Sequence, residues 1–312
     1  MRIAYIGTSS FAVAPLKALA ASGFEICAVV AQPDRPSSRR GLKTQIGPVT
    51  AEALSLGISV LQPESIKESA AELASLDCDL AVVCAYGQML SLPVIGAFKL
   101  GAINIHASLL PKYRGAAPIH RAIMNAEAST GITIMQLEKG LDTGAILYTA
   151  SMPIGEDDTA SSLGSELSLL GADAVCETIN NYAALHRSRT LQDGSKAVYA
   201  EKIQKHERFV GFCEGLSQTH NRIRGLDRDP GAYALLDGKR ISLYGSHIAA
   251  SGGVAGADGE MLGTQGQALL IACGGGALSI GSVKAQGKRE LSGKEFFSGA
   301  RHKFLQNTNN TM

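Results

Sequence analysis

Residues 2–31, RIAYIGTSSFAVAPLKALAASGFEICAVVA, read as strand, turn, helix and strand. Residues 2–6 are rich in β-formers and stop at Gly7, and Phe11, Leu16 and Leu19 then recur at helical spacing. The run FEICAVVA (24–31) returns to a strand pattern. An opening of this kind is a βαβ unit, which calls for a parallel sheet. The same alternation continues outward. DLAVVCA (79–85) carries apolar side chains on both faces, as a central parallel strand does. Before it, helices are expected near Pro48–Leu56 and Ile66–Leu76, with ISVLQP extended between them. After it come a helix over Leu92–Phe98, the strand GAINIHA (101–107), a helix over Ala117–Asn125 and a strand over Gly131–Leu137. The pattern predicts a doubly wound α/β domain on a mostly parallel sheet.

The character changes after about residue 185. Residues 186–208 are polar, and a short helix is expected near Cys213–Arg224. The strands AYALL, RISLYGS, ALLIAC and ALSIGSV follow, separated by Gly and Asp. Strands so spaced suggest a small antiparallel, OB-like barrel. The expected organisation is a first domain at 1–188, a linker at 189–207, a barrel at 208–305 and a disordered tail at 306–312.

Two domains also suit a chain of 312 residues. With 45% hydrophobic and 18% charged residues, intrinsic disorder is excluded. No apolar run reaches the roughly 18 residues of a membrane helix. Met1 leads directly into the strand pattern, so no signal peptide is expected. The six cysteines form no C-x-x-C pair, so neither a disulfide framework nor a metal site is expected, and a cytoplasmic chain with reduced thiols is. The net charge of +1 is uneven. The front of the chain is slightly acidic, while Lys284, Lys288, Arg289, Lys294, Arg301 and Lys303 crowd the end. That asymmetry fits an anionic partner or an ordinary solvated face.

Several chemistries are absent: no G-x-x-x-x-G-K-[ST], no G-x-S-x-G and no H-E-x-x-H. The first turn, G-T-S-S-F, has one glycine where a dinucleotide fingerprint needs three. Two long loops, Gln32–Gly47 and Ser108–Pro118, leave strands at their carboxyl ends, where open α/β sheets bind ligands. Asn104 and His106 stand two apart on one strand and so share a face. An amide beside an imidazole suits a developing oxyanion. Asp142, in EKGLDTG, is placed to orient the ring and favour its cationic form. On spacing alone the pair reads first as a surface histidine with a capping asparagine. His120 reads as helix packing.

INIHASLLPKYRGAAPIHRAI (103–123) and TGITIMQLEKGLDTGAI (130–146) resemble the folate-dependent formyltransferases, and within them the methionyl-tRNA formyltransferases. QPDRP (32–36) and VVCAYGQMLSLPV (82–94) match as well. The likeness thins through NRIRGLDRDPGAYALLDGKRISLY (221–244) and ALSIGSVKAQGKRELSGKEFF (277–297). The resemblance implies Asn104, His106 and Asp142 as catalytic residues. It implies a folate site at Ser108, Leu109, Leu110 and Pro111 and along Tyr86, Gly87, Gln88, Met89 and Leu90. It implies formyl transfer from 10-formyltetrahydrofolate to the methionine amine of initiator methionyl-tRNA, with no metal and no membrane, by a monomer. Arg39, Arg40 and Lys43 match the loop that enters the acceptor stem. Lys202, Lys205, Arg222, Arg224, Lys288 and Arg289 are the candidates for the tRNA backbone. An amino-sugar formyltransferase is the alternative, since it shares the N-x-H and SLLPKYRG motifs. One departure is plain. Where the family commonly carries Asn-Pro-Trp-Pro, this chain reads Leu226-Asp227-Arg228-Asp229-Pro230 and has no tryptophan. Asp227 and Asp229 are therefore expected to put acidic charge near the RNA surface.

Overall fold

The structure is a computed structural model that describes residues 1–36, 44–299 and 304. The chain opens with β1 (Arg2–Gly7), α1 (Val13–Ala21), β2 (Glu25–Val30), β3 (Arg35–Pro36), β4 (Thr44–Gln45) and α2 (Pro48–Ser55). It continues through β5 (Val60–Leu61), α3 (Ala70–Ser75), β6 (Leu80–Cys84), α4 (Leu92–Ile95), β7 (Ala102–His106) and β8 (Arg114–Gly115). Next come α5 (Pro118–Met124), β9 (Ser129–Gln136), β10 (Ile146–Pro153), α6 (Ala160–Asn180), α7 (Tyr182–Arg187) and β11 (Tyr199–Ala200). The last third holds α8 (Leu216–Gly225), β12 (Ala232–Leu236), β13 (Lys239–Ala250) and β14 (Met261–Gln265). It ends with β15 (Ala268–Cys273), β16 (Gly276–Ala285), β17 (Glu290–Ser292) and α9 (Gly293–Gly299). The helix expected over Ile66–Leu76 is divided, a 3-10 turn at Ile66–Glu68 preceding α3.

Contacts divide the chain into two compact units. Unit 1 takes residues 1–115, 130–152 and 164–199, and unit 2 takes 116–129, 153–163 and 200–312. Contact density groups α5 and the 153–163 segment with the C-terminal third.

Unit 1 is built on a seven-stranded sheet in the order β10-β9-β7-β6-β1-β2-β5. The pairs β2–β5, β1–β2, β1–β6 and β6–β7 are parallel, and β7–β9 is antiparallel. The doubly wound, mostly parallel sheet therefore stands. All five residues of β6 are buried, as a strand covered on both faces requires. Ala4, Ile6, Ala81, Val83 and Ala102 pack with Leu73 of α3 and Val94 of α4 on one face. On the other, a Cβ at Gly171 of α6 would meet Ile105 and Ile132, so α6 lies directly on the strands. The loops after β1, β2, β6 and β7 all leave the carboxyl edge of this sheet.

Unit 2 holds a six-stranded sheet, β12-β13-β16-β15-β14, with β17 also paired to β16. The ladders β12–β13, β13–β16, β15–β16 and β14–β15 are all antiparallel. The expected antiparallel architecture is present, but the closed barrel is not. Among the described strands the path ends at β12 and β14 without returning. Its core gathers Phe212, Ile223, Leu226, Leu243, Leu278 and Ile280, with Phe304. No helix among the described residues is long and apolar enough to cross a membrane.

Candidate active site

The last residues of β7 place the central pair. Ile103 and Ile105 turn into the sheet and are buried, so Asn104 and His106 share the opposite face. Asn104 lies between Val83 of β6 and Met135 of β9, and His106 lies opposite Thr133. Asn104 is half-buried, and among the described residues its side chain has no hydrogen-bond partner. His106 is 5% exposed. Its Nε2 stands 2.8 Å from the Tyr113 carbonyl. A carbonyl only accepts, so Nε2 carries the proton and donates. In the neutral ring Nδ1 is then the acceptor, and it faces Asp142 Oδ2 at 3.7 Å. That separation exceeds a hydrogen bond and leaves Nδ1 open to a third group.

Asp142 is held at both ends. Its backbone takes φ +51°, a left-handed conformation that few non-glycine residues adopt. Its Oδ2 accepts the Gly115 N–H at 2.8 Å, and its own carbonyl accepts Gln192 Nε2 at 2.9 Å. The glycine of D-T-G has a steric cause: a Cβ on Gly144 would fall on the Gln136 carbonyl. Gln192 lies in the segment read as a polar linker, and no motif marked it. The nearby Cys84 is no nucleophile, because complete burial pushes its thiol up to about 12.

The SLLP turn is internally braced. Ser108 Oγ donates to the Lys112 carbonyl at 2.6 Å, while Thr133 Oγ1 donates to the Ser108 carbonyl at 2.7 Å and accepts the Leu110 N–H at 3.1 Å. Ser108 and Leu110 are buried, and Leu109 and Pro111 are half-buried. Beside it, the loop after β6 is tied to the neighbouring strand ends. The Tyr86 carbonyl accepts Thr8 Oγ1 at 3.1 Å and Gln32 Nε2 at 2.6 Å. Gly87 has φ +88°, and a Cβ there would stand 2.6 Å from Gln32 Nε2, so only glycine fits. The Gln88 side chain bonds the Ile66 N–H and the Glu64 carbonyl. Met89 is exposed, Leu90 is half-buried, and Tyr86 is buried with no partner for its hydroxyl among the described residues. No cluster of three or more metal-ligating side chains occurs among the described residues.

The cationic candidates divide. Arg39, Arg40 and Lys43 lie outside the described residues. Lys202, Lys205, Lys288 and Arg289 are exposed, with Arg289 3.3 Å from Glu295. Arg222 is paired with Glu214 at 2.7 Å. Arg224 corrects the charge-based reading. It is 5% exposed and donates to the Gly155 and Asp158 carbonyls and to Asn221 Oδ1, which makes it a brace inside unit 2. Asp227 is likewise not a surface charge. It is buried, and its Oδ2 accepts the Gly245 N–H.

A family model described as "Formyl transferase" matches residues 1–179, and one described as "Formyl transferase, C-terminal domain" matches residues 202–301. The methionyl-tRNA formyltransferase of Geobacter sulfurreducens is 42% identical over 303 residues, covering 96% of this chain and 94% of the relative. HypX from Aquifex aeolicus, solved with tetrahydrofolic acid, aligns over 95% of this chain with a TM-score of 0.70 at 19% identity. This chain spans about half of HypX, 47%. An N-formyltransferase from Helicobacter canadensis, solved with folinic acid and dTDP-3-aminofucose, has a TM-score of 0.63 at 20% identity, covering 89% of this chain and 97% of its own. At such identities these structures speak for the fold alone.

Proposed function

The chain belongs to the formyl transferase family, and from that premise we propose that it moves the formyl group of 10-formyltetrahydrofolate onto the α-amine of initiator methionyl-tRNA. The observation that carries the chemistry is His106 Nδ1 facing Asp142 at 3.7 Å, beside Asn104 on the same strand face. The 42% identity over 96% of the chain supports methionyl-tRNA as the acceptor over an amino sugar.

The co-substrate supplies an activated formyl group on N10. Nδ1, the acceptor nitrogen of the neutral ring, takes the amine proton as nitrogen bonds to the formyl carbon. The resulting imidazolium faces the Asp142 carboxylate, and with the Asn104 amide it donates to the developing oxyanion. The same proton passes from Nδ1 to N10 as that bond breaks. For the folate we favour the mouth between Ser108–Pro111 and Tyr86–Leu90.

We assign the tRNA to the basic loop and to the exposed cations of the C-terminal third. Catalysis falls to 1–188 and tRNA recognition to the antiparallel sheet region 208–305, joined by 189–207. The two matched models end and begin close to those limits, at 179 and 202. The enzyme acts as a cytoplasmic monomer, on initiating tRNA. Incubation with 10-formyltetrahydrofolate and either charged initiator or charged elongator tRNA tests the reading. Formyl-methionine on the initiator alone is expected. Formylation of nucleotide-linked amino sugars and of neither tRNA would overturn it.

A further inference from the structure

The geometry points to Gln192 as the residue that positions Asp142 for transfer, an inference that rests on the activity proposed above. Both ends of its amide are fixed. Arg114 donates to Gln192 Oε1 from Nε at 3.0 Å and from Nη2 at 2.7 Å. A guanidinium only donates, so the oxygen faces Arg114 and the amide nitrogen must point the other way. There Nε2 donates to the Asp142 carbonyl at 2.9 Å and to the Gly144 carbonyl at 2.7 Å. Those two carbonyls flank Thr143, so one side chain fastens the whole D-T-G turn.

The turn needs fastening. Asp142 sits at φ +51°, and in that conformation its carboxylate is bonded to the Gly115 N–H and set 3.7 Å from His106. Arg114 is buried at 5% exposure and adjoins Gly115, so one short strand supplies both the anchor for Gln192 and the donor for Asp142. The choice of residue follows from the partners. Glutamate would set acceptors against two carbonyls, lysine would set donors against a guanidinium, and methionine would offer neither. Gln192 acts through Asp142 and is a positioning residue, not a catalytic one.

The test uses the full chain with Gln192→Met, Gln192→Glu, Asp142→Asn and the double variant Gln192→Met/Asp142→Asn. The kcat for formylation is expected to fall roughly ten- to a hundredfold in either Gln192 variant, as misplacement of a reacting group does. Both KM values should stay within about twofold. In the Asp142→Asn background, Gln192→Met should add nothing, since a residue acting only through Asp142 has no effect left to exert. An unchanged kcat, or the full loss reappearing on top of Asp142→Asn, would overturn the inference. Amide hydrogen exchange gives a readout independent of activity. The Gly115 amide should exchange faster in Gln192→Met, while the Arg114 amide, which donates to the Val198 carbonyl, should not. Equal protection of Gly115 would refute the positioning role whatever the rates. A wild-type protein inactive on methionyl-tRNA, with Gly115 deprotected in the variant, would defeat the activity and leave the positioning intact.

Discussion

Asn104 is the simplest of the site residues to interrogate. Its amide is half-buried with no partner among the described residues, so the fold spends nothing on it. Its proposed use is to donate to an oxyanion present only during transfer. Asn104→Ala should therefore lower kcat by roughly 10²–10³-fold, with the urea midpoint unmoved. A variant that turns over at the wild-type rate would remove Asn104 from the mechanism. Strand periodicity already set Asn104 and His106 on one face, and the D-T-G motif picked out Asp142. What no motif could give was the state of the ring. The Tyr113 carbonyl accepts from Nε2–H, which keeps the ring proton there and leaves Nδ1 as the base, a detail set by a turn seven residues away. Gln192 escaped for a similar reason. A polar residue in a polar segment carries no signal until its partners at Arg114 and Asp142 are known.

At the level of the element, α8 shows where charge counting fails. The helix itself was legible near Cys213–Arg224; its Ile223 packs in the unit 2 core, as does Leu226 just beyond its end. Which of its arginines meets solvent was not, because that depends on carbonyls of the 155–158 turn, far away in sequence. Arg224→Met should destabilise unit 2 by about 1–3 kcal/mol for each carbonyl left without a donor. Its affinity for tRNA in the folded state should be unchanged. Urea unfolding together with tRNA titration checks both, and lost affinity in a fully folded variant would return Arg224 to the RNA surface. The turn after α8 offers a pH test. Burial holds the Asp227 carboxyl above its ordinary value. The folded state thus keeps this proton to higher pH than the unfolded chain does. The stability it contributes is complete below about pH 3.9 and is lost as pH rises through the folded value. At pH 7 the buried carboxylate is a net cost. Asp227→Asn keeps an acceptor for the Gly245 N–H and removes that cost. Its urea midpoint should exceed wild type at pH 7, with the gain fading toward about pH 3.9. An equal midpoint at neutral pH would mean that Arg228, 4.0 Å away, already neutralises the charge.

Across the whole molecule, the question is how an almost neutral chain, +1 overall, binds a polyanion. The sequence showed the excess of cations toward the C-terminus but not their availability. Arg224 is buried, Arg222 is paired with Glu214 and the exposed Arg289 with Glu295, which leaves Lys202, Lys205 and Lys288 as the exposed candidates outside an ion pair among the described residues. Closure of the barrel was equally illegible, since strand spacing fixes neighbours and not whether the last strand meets the first. The exposed set makes the salt dependence of binding a count of working contacts. Each phosphate neutralised releases counterions and adds about 0.9 to the slope of log K against log salt on a duplex stem. Lys202→Ala and Lys205→Ala together should thus lower that slope by about 2 and weaken initiator and elongator tRNA alike, because phosphates carry no sequence. Arg224→Met should leave the slope where it is. A slope unchanged by the paired lysine substitutions would move the RNA away from residues 202–205. The remaining cations at Lys288 and Arg289 would then be the next surface to neutralise.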